Sequence, residues 1–229
     1  MNGSLVLEGG AEFGGGMALP DRQAIALAGG PDAPVRIIPT AAAPDRNHLR
    51  AGGNAERWFK QLGARDVQSV GLIDRASAQD PLIVESLRAA LLIYLLGGFT
   101  HYLAQTLLGS PAWEAVLQAW RDGAVLAGSS AGAMVLCQFY FDPSQGQVFD
   151  GLGLVPGTLV LPHHNTFGKG WAARLAKELP AVTLLGIDEQ TGLVSSPDDG
   201  RWSVLGAGAA TLYRGGQPER YLAGSAFTL

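Results

Sequence analysis

From Leu5 to about residue 137, short apolar runs alternate with longer amphipathic stretches, and no other feature narrows the choice of fold as much. The runs "SLVLEGG", "PVRIIPTAA", "VQSVGLI", "ALLIYLLGG" and "GAVLAGSS" have the length of buried strands and end in glycine or polar residues. Between them lie "ALPDRQAIALAG", "NHLRAGGNAERWFKQLGA", "DPLIVESLRAA", "FTHYLAQTLLGS" and "PAWEAVLQAWRDG", all of helical character. Trp58, Phe59 and Leu62 can share one helix face, and Gly63 follows as a stop. Ser110 can cap a helix with Pro111 in its first turn and a stripe of Trp113, Val116, Leu117 and Trp120. This order predicts a mostly parallel sheet with helices on both faces, an α/β protein.

The later part changes character. "GTLVLPHH" and "VTLLGIDE" read as buried strands around a helix, "GKGWAARLAKELP". After Thr191 come short runs with turn signals at Asp199-Gly200 and Gly215-Gly216, which predict hairpins. We expect a short antiparallel C-terminal extension within a single domain over residues 1–229.

Composition excludes several classes. Hydrophobic residues make up 47% and charged residues 16% of the 229, which suits a large core and argues against disorder. The 32 glycines are about twice the usual ~7% share, and they punctuate apolar runs rather than form a repeat. A net charge of −4 provides no basic footprint, so no nucleic-acid partner is expected. No apolar run approaches the ~18 residues of a membrane span, and "MNGSLVLEGG" does not read as a signal peptide. One cysteine, Cys137, fits a reducing compartment, so a cytoplasmic location is expected. It lies two turns along the helix expected after Ser130 and reads as a small core residue. A homodimer is compatible with the apolar helix faces, although no seam marks one.

The stretch "VLAGSSAGAMVLC" holds Gly-x-Ser-x-Gly at residues 128–132, between an apolar run and a helix-compatible run. A nucleophile on a strand-to-helix turn needs that context, with small neighbours because the backbones crowd it. Gly128, Ala131, Gly132 and Ala133 supply them, and the Ala131 N–H would face a developing oxyanion. The competing readings are a plain glycine-rich turn, or Ser129 as the nucleophile. A serine nucleophile needs a base and an orienting acid. His163 and His164 follow a candidate strand, whereas His48 and His101 lie in helical stretches. Strand ends of a parallel sheet line one crevice, so either of the paired histidines could meet Ser130. Asp188 and Glu189 end another apolar run, and Asp142 and Asp150 are their rivals.

With Ser, His and acid in that chain order, the sequence resembles the peptidase E and cyanophycinase family of serine peptidases. "GSSAGA" at 128–133 resembles the family's nucleophile motif, and "LPHH" at 161–164 its histidine segment. "GIDE" at 186–189 resembles the segment that supplies the triad glutamate. "LLGG" at 95–98 resembles an oxyanion-hole turn, and "LEGG" at 7–10 the turn after the first strand. The resemblance implies a flavodoxin-like fold related to class I glutamine amidotransferases and a mechanism without metal or cofactor. It implies Ser130 as nucleophile, His163 as base and Glu189 as orienting acid, with Gly98 and Ala131 N–H groups holding the oxyanion. The implied substrate is a short peptide, cut by an exopeptidase of aspartyl dipeptidase type.

Some residues depart from the family's pattern. Phe99 stands where relatives often carry a polar residue. The run after the histidine retains Arg174 but otherwise differs from cyanophycinases. An N-terminal aspartate would need a cation, for which Lys169, Arg174 and Arg46 are the candidates. Carboxy-terminal trimming and β-aspartyl cleavage stay open. So does a non-catalytic amidotransferase-like binding domain, although such a domain has no need of Ser130, His163 and Glu189 together. An α/β-hydrolase esterase would place its acid before the histidine, at Asp142 or Asp150.

Overall fold

The computed structural model describes residues 2–229. The first half of the chain winds strand and helix in turn. Strand β1 (Leu5–Glu8) leads to α1 (Ala18–Leu27), β2 (Val35–Ile38) to α2 (His48–Gln61), and β3 (Val67–Ser69) to α3 (Pro81–Arg88). Strand β4 (Leu92–Leu95) precedes α4 (Thr100–Leu107) and α5 (Pro111–Arg121), and β5 (Val125–Ser129) runs into α6 (Ala131–Leu136). The ladders β1–β5, β5–β4, β4–β2 and β2–β3 are all parallel.

Side-chain alternation explains why these runs are apolar throughout. On β4, Leu92 and Tyr94 belong to one buried cluster with Ala24 and Ile25 of α1 and Phe59 of α2. Ile93 and Leu95 point the other way, into a second cluster with Leu87, Leu103, Leu107, Trp113 and Val116 of α3, α4 and α5. A strand buried on both faces has no polar side to alternate with. Ser110 Oγ accepts from the Trp113 N–H at 3.1 Å and caps α5.

Beyond α6 the strands build a second sheet. Strand β6 (Cys137–Asp142) pairs with β7 (Gln147–Asp150) in a hairpin, and β8 (Val155–Leu161) lies parallel to β6. A single π-helical turn, His164–Gly168, leads into α7 (Lys169–Glu178), and β9 (Thr183–Ile187) returns parallel to β8. The last five strands are β10 (Thr191–Ser195), β11 (Arg201–Gly206), β12 (Ala209–Tyr213), β13 (Glu219–Leu222) and β14 (Ala226–Thr228). The first sheet runs β14-β11-β10-β1-β5-β4-β2-β3 and the second β13-β12-β9-β8-β6-β7.

The α/β class and its parallel core are those expected, with two differences. The parallel strands divide between two sheets, and the antiparallel extension is shared: β10, β11 and β14 extend the first, β12 and β13 the second. The expected helix after Ser130 is also shorter than its apolar run. It stops at Leu136, and Cys137 opens β6 instead of riding on the helix. The aromatic run Phe139-Tyr140-Phe141 favours a pleated strand, and Tyr140 stacks across the hairpin on Phe149 at 5.6 Å. Cys137 is fully buried, and burial pushes its thiol up to about 12. Among the described residues no helix is long and apolar enough to cross a membrane.

Candidate active site

The ends of β1, β4, β5, β8 and β9 converge at one side of the two sheets. Ser130 sits between β5 and α6 with φ 50° and ψ −112°, a backbone that L-residues rarely adopt. Such a conformation costs of order 1–3 kcal/mol and persists only where the surroundings enforce it. The enforcement is visible in the glycines. A Cβ on Gly128 would lie 2.5 Å from the Gly132 carbonyl carbon, and one on Gly132 would strike the Leu95 carbonyl oxygen. The Ser130 N–H donates to the Glu8 carbonyl at 3.0 Å, tying the turn to β1. Ser129 differs: its side chain is buried, and it lines neither cavity described below.

His163 follows β8 in the left-handed region, φ 51° and ψ 38°. Its N–H donates to the Gly9 carbonyl at 2.7 Å, and its ring stacks on Phe167 at 4.7 Å. Gly10 has φ 101°, and a side chain there would enter the His163 ring. The Ser130 Oγ lies 3.0 Å from His163 Nε2, and His163 Nδ1 lies 2.8 Å from Glu189 Oε1. Glu189 is itself fixed: its N–H donates to Asn165 Oδ1 at 2.8 Å, and Thr166 Oγ1 is 3.3 Å from Oε1.

The rival residues have other partners. His164 turns inward beside Asp188 at 3.4 Å, its Nε2 lies 2.8 Å from the Tyr213 hydroxyl, and burial lowers its pKa. Asp188 accepts from the Ala209 N–H at 3.0 Å. Two adjacent histidines and two adjacent acids therefore form two pairs, one at Ser130 and one in the interior. Asp142 accepts from the Ser144 hydroxyl at 2.7 Å, and Asp150 is exposed on β7. His101 lies 2.9 Å from the Tyr140 hydroxyl, and His48 opens α2.

Gly98 has φ 138°, and a side chain there would strike the Ala41 carbonyl. Its N–H has no backbone acceptor among the described residues. The Ala131 N–H is the first in α6 and has no intrahelical partner. Gly98 shares both cavities at Ser130, and Ala131 follows Ser130 in the chain.

Two cavities flank the Ser130–His163 pair. One, of about 410 Å³, includes Glu12, Phe13, Asp45, Asn47, Gly97 and Gly98 in its wall. The other, of about 250 Å³, is walled by Phe99, Met134, Asp142, Pro162, Phe167 and Trp171. Phe99 is thus in the wall of a cavity that Ser130 also lines. The three candidate cations for a substrate carboxylate line neither cavity. Lys169 opens into a separate cavity with His164 and Arg220, and Arg174 pairs with Glu178 at 3.3 Å and lies over Phe141. Arg46 is exposed and lines neither cavity. Charge type alone said nothing of direction, and on α7 Lys169 faces the His164 cavity while Arg174 lies over Phe141.

Sequence reasoning also missed a buried acidic pair beneath the turn. Glu8 is fully buried and accepts a hydrogen bond from the Tyr94 hydroxyl. Asp21, 1% exposed, accepts from Trp58 Nε1 at 2.7 Å. Burial and the neighbouring Asp21 hold the Glu8 carboxyl well above its usual range, and burial raises Asp21 to about 7. Burial thus favours the neutral, protonated form of both carboxyls.

The model of peptidase family S51 matches residues 5–201. The chain belongs to peptidase family S51. Among curated proteins, the S51 chain is 32% identical over 196 residues to a cyanophycinase of Nostoc sp., covering 81% of this chain and 64% of that one. It is 31% identical over 202 residues to a cyanophycinase of Geminocystis herdmanii, covering 82% and 72%. The match thus spans less than two thirds of the Nostoc relative. The crystal structure of a peptidase from an acI-B1 Actinobacterium superimposes with a TM-score of 0.89 at 32% identity, over 100% of this chain and 98% of that one. A candidate peptidase E protein from Listeria monocytogenes EGD-e, with a TM-score of 0.62 at 19% identity over 97% and 99%, shares the fold.

Proposed function

We propose that this S51 chain is a cytoplasmic serine exopeptidase that hydrolyses short peptides through Ser130, His163 and Glu189. The observation that carries the reading is the unbroken hydrogen-bond line from Ser130 Oγ through His163 to Glu189, at 3.0 and 2.8 Å. In this reading His163 Nε2 takes the Ser130 proton as Oγ attacks the carbonyl carbon. The oxyanion settles between the Gly98 and Ala131 N–H groups, and His163 returns the proton to the leaving amine. Water then releases the acyl group by the same steps in reverse roles. Glu189 keeps the Nδ1–H of His163 turned toward itself and so leaves Nε2 free as the base. The cavities beside Ser130, about 410 and 250 Å³, suit small substrates.

A dipeptidase reading fits those volumes. A preference for N-terminal aspartate finds no lysine or arginine among the described residues lining the cavities at Ser130 to favour it. A β-aspartyl, cyanophycinase-like activity is the second reading, favoured by the 32% identity to a cyanophycinase. Purified protein and Ser130→Ala are to be compared on Asp-X dipeptides, isoaspartyl dipeptides, other free dipeptides, N-acylated peptides and a simple ester. The reading expects hydrolysis of at least one peptide class, reduced on the order of 10⁴-fold or more in Ser130→Ala. Equal inertness of both proteins on every substrate rejects it.

A further inference from the structure

An exopeptidase must hold one terminus of its substrate, and the two termini demand opposite charges beside the nucleophile. Among the described residues no lysine or arginine lines either cavity that touches Ser130. The larger one instead exposes two carboxylates, Glu12 and Asp45, next to the neutral Asn47. Gly97 shows how near Glu12 is to the chemistry. A Cβ built on it would lie 2.7 Å from Glu12 Oε1 and 3.1 Å from Ser130 Cβ. The Glu12 carboxylate has no ion-pair partner among the described residues.

We infer that Glu12, with Asp45, binds the cationic amine of the substrate beside Ser130, so that the peptide is held by its free α-ammonium and cut from its amino end. The inference rests on the peptidase reading above and adds to it the end that is recognised. A carboxylate partly withdrawn from water gains most from a partner of opposite charge. A C-terminal carboxylate, or an acidic first side chain, would meet Glu12 as a like charge. The strand-end glycine turn makes the placement possible. Gly10, at φ 101°, turns the chain over His163, and Ala11 and Phe13 on either side of Glu12 both have positive φ, 59° and 64°. Glu12 is therefore displayed by the same loop that packs on the His163 ring. A basic side chain would present similar chemistry, and the test separates the two sources.

The test reads binding without turnover. Calorimetry on the Ser130→Ala protein would use three probes: alanyl-alanine amide, its N-acetyl derivative, and N-acetyl-arginine amide. The expected result is at least tenfold tighter binding of the free amine than of its acetylated form. That preference should vanish when Glu12→Gln is added and return in part with Glu12→Asp. Affinity should also fall as pH passes the α-amino pKa of roughly 8. Glu12-dependent binding of N-acetyl-arginine amide alone would overturn the amino-end assignment and give the subsite to a basic side chain. Equal binding of free and acetylated probes, binding of none of them, or indifference to Glu12→Gln would overturn the inference. A matching unfolding midpoint for Glu12→Gln establishes that its effect is local. Because no hydrolysis is needed, an inert wild type rejects the peptidase reading, whereas lost amine preference rejects the subsite alone.

Discussion

At the scale of single residues, Ser130 is held in a backbone that its own side chain disfavours, so the turn stores strain. Ser130→Gly should relieve it, and the variant is expected to unfold at a higher temperature by about 1 kcal/mol of added stability while losing hydrolysis. Thermal unfolding beside an activity assay checks both halves. The Glu8–Asp21 pair stores a second cost. Asp21 rises from an ordinary 3.8 to about 7 on folding, so the native state binds more protons than the unfolded chain between those values. Its contribution to stability is therefore fullest below about pH 4 and is lost as pH rises toward 7. Asp21→Asn should unfold above wild type at pH 8, with the gap closing toward pH 4, in a melting series across that range. That Ser130, His163 and Glu189 would meet was legible because small residues, an apolar lead-in and chain order all pointed at them. Glu12 was not, since a lone acid after a glycine turn has no period and no partner in the sequence. Glu8 sat inside an apolar strand, where only its buried neighbours reveal what it does.

At the scale of elements, caps and periodicity predicted most of the first half. Ser110 is an example: its hydroxyl closes the first turn of α5, and Ser110→Ala should cost about 1 kcal/mol. A denaturant titration should show that loss as a lower midpoint at unchanged slope. Elements went unrecognised where the local signal was shared by two structures. The run from Ala131 through Phe141 is apolar throughout, so periodicity could not place the boundary at Leu136. The following "FYFDPSQGQVFDG" drew attention for its acids, yet its aromatic strands and a turn ending at Gly146, φ 67°, make it the β6–β7 hairpin. The π-helical turn after His163 had no signature at all. It follows from packing, because Gly168 approaches the Pro162 carbonyl too closely for any side chain.

At the scale of the whole molecule, the two sheets explain how residues far apart in sequence meet. Ser130 leaves the first sheet, His163 and Glu189 leave parallel neighbours of the second, and the junction between the sheets holds them together. Alternation of strand and helix could announce parallel strands, but not that they would divide, because the division depends on side chains packing across the junction. Cys137 lies on the strand that begins the second sheet, fully buried and with its thiol pushed up to about 12. Alkylation of the folded protein should leave both Cys137 and activity intact, and labelling should appear only with global unfolding. The central claim is that Ser130 is made nucleophilic by His163, and it can be read without knowing the substrate. A serine-reactive fluorophosphonate, followed by peptide mass mapping, should label Ser130 alone in the wild type and fail in His163→Ala. Labelling that ignores His163→Ala, or that never reaches Ser130, would contradict the account.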